Sequence, residues 1–371
     1  MTQTILPPGA ANPAPRNRLR LVPILEPRQS VPDRLRLTIY VASLLLATLI
    51  SVALLAGAGV PPGDLAKEIA TTVFSSPRAL GSVLALTAPL VVAGLATAIA
   101  FRANFWNIGL EGQMILGAVL SSYVAIHDIG PEFARLPLMA AAAALGGMIW
   151  IACPGWLKLK LGVNEVITTL LLNYVAFNLL LHLLYGPWKD PVSSFPYTEQ
   201  YEAFEKLPLL GWMTLTWALP LAGILALALW WVYSFSRLGF LIDLMRSNAT
   251  MARAVGVPVL GLSVASILAS GAVGGLTGFA ISSGIEGRMT QDFFVGYLFS
   301  GVLIAFLGRN HPLGVIVVAF FMAVLMQLGQ SLQVFFGVPS ALVQLVQAVF
   351  IICVAASEFF LTYRMNWRSA A

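Results

Sequence analysis

Charge is scarce in this sequence. Asp, Glu, Lys and Arg make up 10% of residues, against about 25% in soluble domains. Cysteine is scarcer: Cys153 and Cys353 stand far apart. No Cys-x-x-Cys or Cys/His ligand spacing occurs, so no metal site is expected and both cysteines read as small buried apolar residues. His127, His182 and His311 are scattered, with no His-Glu-x-x-His spacing. None of Lys67, Lys158, Lys160, Lys189 and Lys206 follows a glycine, which excludes a phosphate loop of the Gly-x-x-x-x-Gly-Lys type. Ser282-Ser283-Gly284 lacks the Gly-x-Ser-x-Gly elbow of serine hydrolases. The chain is not expected to be an enzyme or to hold a cofactor.

What is abundant is apolar length. Hydrophobic residues make up 58% of the 371, and mean hydropathy is +0.85. Apolar runs fall near 37–60, 80–101, 109–127, 137–157, 165–185, 214–235, 261–282, 293–308, 313–335 and 338–362. Most approach the ~17–25 residues that cross a bilayer as a helix. Continuous runs exclude a β-barrel, whose strands alternate. The fold class expected is all-α and polytopic, with about ten transmembrane helices. Residues 1–36 read as a disordered basic tail, 37–362 as the transmembrane domain and 363–371 as a second tail.

Lys and Arg fix the orientation. With the N-terminus in the cytoplasm, 15 of the 21 fall on inside segments and 6 outside. That split fits ten helices with both termini cytoplasmic. The net charge of +5 follows from this bias and indicates no nucleic-acid partner.

The sequence also echoes itself. GLEGQM at 109–114 resembles GIEGRM at 284–289, Pro137-Leu138 recurs at Pro312-Leu313, and Gly162-Val163 at Gly337-Val338. All three pairs share an offset of 175. Five crossings separate the copies, so they run in opposite senses. That is the pattern of an inverted repeat, with a solute path between the halves.

Polar residues inside the apolar runs are the candidates for that path. If 104–113 is helical, Asn104, Asn107 and Glu111 share a face at i, i+3 and i+7. Phe105 and Trp106 offer stacking surfaces, and Gln113 adds an amide. Asn164 precedes a second stripe of Glu165, Thr169 and Asn173. Gln327 with Gln330 and Gln344 with Gln347 are i, i+3 amide pairs. Amides and aromatics suit a neutral solute with a flat ring, or a sugar. Glu111 and Glu165 either face a wet cavity or sit at helix starts, favoured by the dipole.

FRANFWNIGLEGQ (101–113) with GVNEVITTLLLNY (162–174) resembles the permease subunits of bacterial binding-protein-dependent ABC importers. The nearest branch carries nucleosides and simple sugars and is related to ribose and branched-chain amino acid permeases. The resemblance covers about 37–362, including GRNHPLG (308–314) and GVPSALVQ (337–344). It implies an inverted-repeat helical fold in the bacterial cytoplasmic membrane. It also implies ATP-binding subunits on separate chains, a second homologous permease forming a heterodimer, and a periplasmic protein or lipoprotein that captures solute. ATP would then be bound by the partner.

The resemblance further implies that the inner loop 236–260 contacts the ATPase through Asp243, Arg246, Asn248, Arg253 and Gly256. Asp243 stands where the family often has Arg, and Arg246 where it often has Gly. The acidic outer loop 186–213 is expected to help dock the binding protein. The function expected is import of nucleosides or related nucleobases; ribose-like sugars are the alternative solute. A lone ion-coupled transporter, with Glu111 or Glu165 carrying the proton, is the alternative class.

Overall fold

The computed structural model describes residues 20–28, 31–65, 67–68 and 76–370. The chain divides into two units, Met1–Ser51 with Val349–Ala371, and Val52–Ala348. The helices are α1 (Asp33–Gly57), α2 (Pro77–Arg102), α3 (Leu110–Ile126), α4 (Glu132–Leu161), α5 (Glu165–Tyr185) and α6 (Ala218–Phe235). They continue with α7 (Arg237–Ser247), α8 (Ala249–Ala254), α9 (Val259–Ile281), α10 (Tyr297–Leu307), α11 (Pro312–Phe336) and α12 (Ser340–Thr362).

Each of the ten apolar runs contains one long helix or one of two shorter ones. Among the described residues, eight helices are long and apolar enough to cross a membrane; α3 and α10 are shorter. This is the architecture of a polytopic helical membrane protein. At ~1.5 Å per residue, α10 reaches about 16 Å, half of a ~30 Å hydrocarbon core. The irregular segment 282–296 precedes it, opening with a π-turn at Ser282–Glu286. The sequence-based reading had no place for α7 and α8, which build the 236–260 segment from two short helices.

In the terminal unit, β1 (Arg20–Pro27) pairs antiparallel with β2 (Tyr363–Ala370). Disorder was expected of 1–36, and 363–371 was expected to be a tail; among the described residues, 20–27 and 363–370 form this strand pair and 33–36 open α1. Residues 1–19, with Arg16 and Arg18, lie outside the described residues. Helix α1 starts at Asp33, before the apolar run. The Tyr40 hydroxyl donates to Glu358 at 2.6 Å, joining α1 to α12.

The core unit is built around α2. Every residue from Thr87 to Arg102 is buried, as expected of a helix that is apolar all round and enclosed by others. It packs against α6, α9, α10 and α11. Beside it, α3, α4 and α9 meet backbone to backbone. A Cβ at Gly275 would lie 2.0 Å from the Ala143 carbonyl oxygen, and one at Gly147 2.0 Å from that of Gly271. Small residues allow such approach where no hydrophobic force drives helices together.

The offset of 175 recurs in the backbone. Gly162 and Gly337 both end helices in the left-handed conformation, with φ of 68° and 64°. Glu165 and Ser340 both begin the next helix. The first pair differs: Gly109 precedes α3, whereas Gly284 lies in the π-turn that closes α9.

Candidate functional site

Between α2 and α3 the chain turns through an elbow, residues 103–109. It is not helical, so Asn104 and Asn107 do not share a helix face with Glu111. Asn104 takes φ 55°, a left-handed conformation that asparagine tolerates better than most residues. Its carbonyl accepts from Lys158 Nζ at 2.8 Å, and its amide donates to the Arg246 carbonyl at 3.2 Å. Phe105 points inward and is buried; Trp106 is half exposed and packs on Phe101 at 4.9 Å. The two rings therefore do not form one stacking platform.

Asn107 is fully buried. Its Oδ1 accepts from Gln113 Nε2 and from the Gly109 N–H, each at 2.9 Å. Its Nδ2 donates to Gln113 Oε1 and to Ser270 Oγ, each at 3.3 Å. Ser270 in turn donates to the Ala96 carbonyl at 2.7 Å. Helix α5 latches the other side. Asn173 accepts from the Gly112 N–H and donates to the Ile108 carbonyl, both at 2.9 Å. Thr169 accepts from the Ile108 N–H at 3.2 Å. Glu165 accepts from the Trp106 N–H at 3.3 Å and pairs closely with Lys158. Asn164 caps α5, accepting from the Val166 N–H at 2.9 Å. The amides that marked this stretch as unusual are thus bonded within the chain. Glu111 is half-buried, and its side chain makes no hydrogen bond to any described residue.

The 236–260 segment is fastened to the elbow. Arg102, the last residue of α2, is buried. It donates to Asp243 at 3.3 Å and to the Asn310 carbonyl at 2.9 Å, and lies 4.1 Å over the Tyr233 ring. Ala103 shares an apolar cluster with Ile242, Met245, Ala252, Val257, Val259 and Leu262. Asn248 caps α8, accepting from the Thr250 and Met251 N–H groups at 3.1 and 2.9 Å. Gly256 has φ +83°, strained for any residue with a Cβ. Arg246 and Arg253 are exposed. A hollow of about 650 Å³ lies between Asn104, Phe105, Lys158, Met245 and Arg253.

A second cavity, of about 520 Å³, lies at the other end of α2. Glu286, Thr290, Asp292, Phe293, Tyr297, Gln327 and Gln330 contribute to its lining, with Ser82 and Leu86 from α2. Leu86 and Arg102 are separated by about 24 Å of helix. The 186–217 connection is laced onto the cavity's irregular wall. Leu207 N–H donates to the Ser283 carbonyl at 2.9 Å and Tyr201 N–H to that of Gly287 at 2.8 Å. Met289 N–H donates to Thr198 Oγ1 at 3.0 Å. The Tyr201 hydroxyl meets Ser122 Oγ at 2.5 Å, and burial pushes its pKa up to about 12. Arg135 pairs with Glu205 at 2.9 Å, both buried, and with Asp128 at 2.7 Å.

Residues 79–355 match the family described as the branched-chain amino acid transport system/permease component. The chain belongs to this family. Three relatives place the permease more closely. It is 37% identical to the glucose ABC transporter permease protein TsgB13 of Haloferax volcanii, covering 92% of this chain and 93% of the relative. It is 29% identical to the guanosine ABC transporter permease protein NupP of Bacillus subtilis, covering 77% and 83%. A second guanosine permease of that bacterium, NupQ, is 25% identical over 75% and 90%. The permease thus falls in the nucleoside and simple-sugar branch of ABC permeases.

Sequence reasoning about the permease missed Glu286, Asp292, Phe293 and Tyr297. The signal for Glu286 was present, since it is the carboxylate of the GIEGRM echo. Gln327 and Gln330 stood out as an amide pair, and the fold brings them to the same cavity.

Proposed function

We propose that the chain is the membrane-spanning subunit of an ATP-driven importer for nucleosides or related hydroxyl-rich solutes such as simple sugars. It crosses the bilayer ten times, with both ends in the cytoplasm. The two halves are an inverted repeat, in keeping with the shared offset of the two left-handed helix ends. The observation that carries the reading is the fastening of the 236–260 segment to the elbow through Asp243–Arg102 and Asn104–Arg246. A push on that segment is transmitted to the end of the central helix, and the other end of that helix borders the 520 Å³ cavity.

In this reading the 236–260 segment faces ATP-binding subunits, with Arg246 and Arg253 offered to them. The 186–217 connection faces a solute-binding protein, and a second permease completes the path. Asn107, Gln113, Thr169 and Asn173 hold the elbow's shape. Trp106 in the elbow and Glu111 at the start of α3 are the side chains left open to a solute. The three relatives support both solute types, one being named for glucose and two for guanosine. The short helices α3 and α10 fall in corresponding halves beside irregular backbone, which is where transporter sites concentrate.

The test is uptake of labelled guanosine and labelled glucose by cells carrying the whole transport system. Loss of ATP-driven uptake of one of them on deleting this subunit is expected. Uptake of both continuing unchanged would sink the proposal.

A further inference from the structure

The elbow and the far cavity treat their polar groups in opposite ways. Every amide of Asn107, Gln113 and Asn173 is hydrogen-bonded within the chain. Around the far cavity, the side chains of Glu286, Thr290, Gln327 and Gln330 make no hydrogen bond to any described residue. Tyr297 is 5% exposed, lines the same space, and its hydroxyl also bonds to none of the described residues. The hydroxyl is not one of the buried polar atoms without a partner, so it opens onto the cavity, where water or a solute can pair with it. In a membrane protein, non-helical backbone such as 287–296 persists where it is buried in protein or lines a water-filled space.

The signs of charge around the cavity are equally specific. Glu286 and Asp292 line it, and no Lys or Arg does among the described residues. Lys206 lies beside Gly287 and is not part of the lining. Both residues are exposed, and with no cation in the described lining they give the cavity a net negative potential. Carboxylates and amide oxygens accept hydrogen bonds from hydroxyls, amide nitrogens and the Tyr297 hydroxyl donate, and Phe293 adds an apolar face.

We infer that this cavity is a solute-contact site that takes uncharged, hydroxyl-rich molecules and turns away anions, phosphorylated forms of the same molecules included. The inference rests on the permease reading and deepens it. It assigns solute contact to Glu286, Asp292, Tyr297, Gln327 and Gln330; Asp292 also accepts from Gln291 at 3.4 Å, and the side chains of the other four bond to no described residue, which leaves them open to a polyol.

The test uses the complete importer reconstituted in lipid vesicles. Cys153→Ser and Cys353→Ser remove the native thiols, and Gln330→Cys places one at the cavity. Its modification rates by a cationic and an anionic methanethiosulfonate are compared, each normalised to Val192→Cys on the exposed connection. The cationic reagent is expected to be favoured by about tenfold, a difference of about 1.4 kcal/mol in barrier. Glu286→Gln with Asp292→Asn should bring the ratio close to one. Guanosine or glucose, whichever the complex transports, should slow the modification, while its phosphate ester should not.

A normalised ratio near one, or one that the double substitution leaves intact, overturns the inference even if transport is normal. Transport of neither solute with the ratio intact removes the proposed solute class instead, and leaves the charge selectivity of the cavity standing.

Discussion

The Asp243 carboxylate lies 3.3 Å from the Arg102 guanidinium, so the 236–260 segment is ion-paired to the last residue of the central helix. The two partners are not equivalent. The Asp243 side chain is 54% exposed and that of Arg102 11%. An exposed carboxylate contributes little to stability, about 0.2–1 kcal/mol in pairs of this kind. Arg102 also holds the Asn310 carbonyl and stacks over Tyr233. Asp243→Asn should therefore leave thermal unfolding in detergent nearly unchanged while lowering ATP-driven uptake. Arg102→Ala should lower both. Equal losses of stability from the two substitutions would show that the pair is structural and transmits nothing.

The reciprocal amide pair of Asn107 and Gln113 makes a separate prediction. Asn107→Ala strands the Gln113 amide and the Gly109 N–H in a dry setting. Leaving a buried polar group unpaired costs about 1–3 kcal/mol. The unfolding temperature should drop, and uptake should fall through the amount of folded protein, with the KM of the remainder unchanged. A raised KM at normal stability would return Asn107 to the role of a solute contact.

Why the sequence located this stretch without naming the partners of its amides follows from these same residues. An Asn, a Thr and a Gln inside apolar runs are legible as polar groups needing partners. Whether the partner is a solute or the chain's own backbone depends on where the chain bends. Asn104 bends it by adopting a left-handed conformation, which no helical periodicity reports. The ten apolar runs were legible because burial in lipid and burial in protein select the same residues. The cavity was not, because its lining comes from 82–86, 214, 281–297 and 326–330, brought together only by packing. Helices α7 and α8 were hidden in a segment whose positive charge was its plainest feature.

Glycine substitutions separate close packing from mere composition. A Cβ at Gly275 meets the Ala143 carbonyl oxygen at 2.0 Å, whereas one at Gly223 meets nothing within 4 Å. The first contact is with backbone, which cannot swing aside. Gly275→Ala should force α4 and α9 apart and destabilise the protein by at least the ~1–3 kcal/mol typical of overpacking. Gly223→Ala, inside α6, should be neutral or gain up to about 1 kcal/mol from helix propensity. Yield of monodisperse protein and its unfolding temperature distinguish the two. Parity between them would mean that the α4–α9 contact is looser than 2.0 Å requires.

The Arg135–Glu205 pair tests whether the 186–217 connection is held on the bundle by charge. Both side chains are buried, at 5% and 4% exposure. Removing one partner of such a pair leaves a charge without compensation, at about 3–5 kcal/mol. Here Asp128 also contacts Arg135 at 2.7 Å and is 80% exposed. Glu205→Gln leaves Arg135 that second partner, so its effect should sit at or below the lower end of that range. Arg135→Met removes the cation and leaves the buried Glu205 carboxylate with the Glu202 N–H, at 2.9 Å, but no compensating charge, so it should be the worse of the two. Combining Arg135→Met with Glu205→Gln should recover stability relative to Arg135→Met alone, because the stranded carboxylate is gone. Proteolysis within 186–217 gives the direct readout: cleavage should be fastest in Arg135→Met, slower in the double variant and slowest in the native protein. Cleavage at the native rate in Arg135→Met would mean that the backbone bonds from Tyr201 and Leu207 to Gly287 and Ser283 hold the connection without the ion pair.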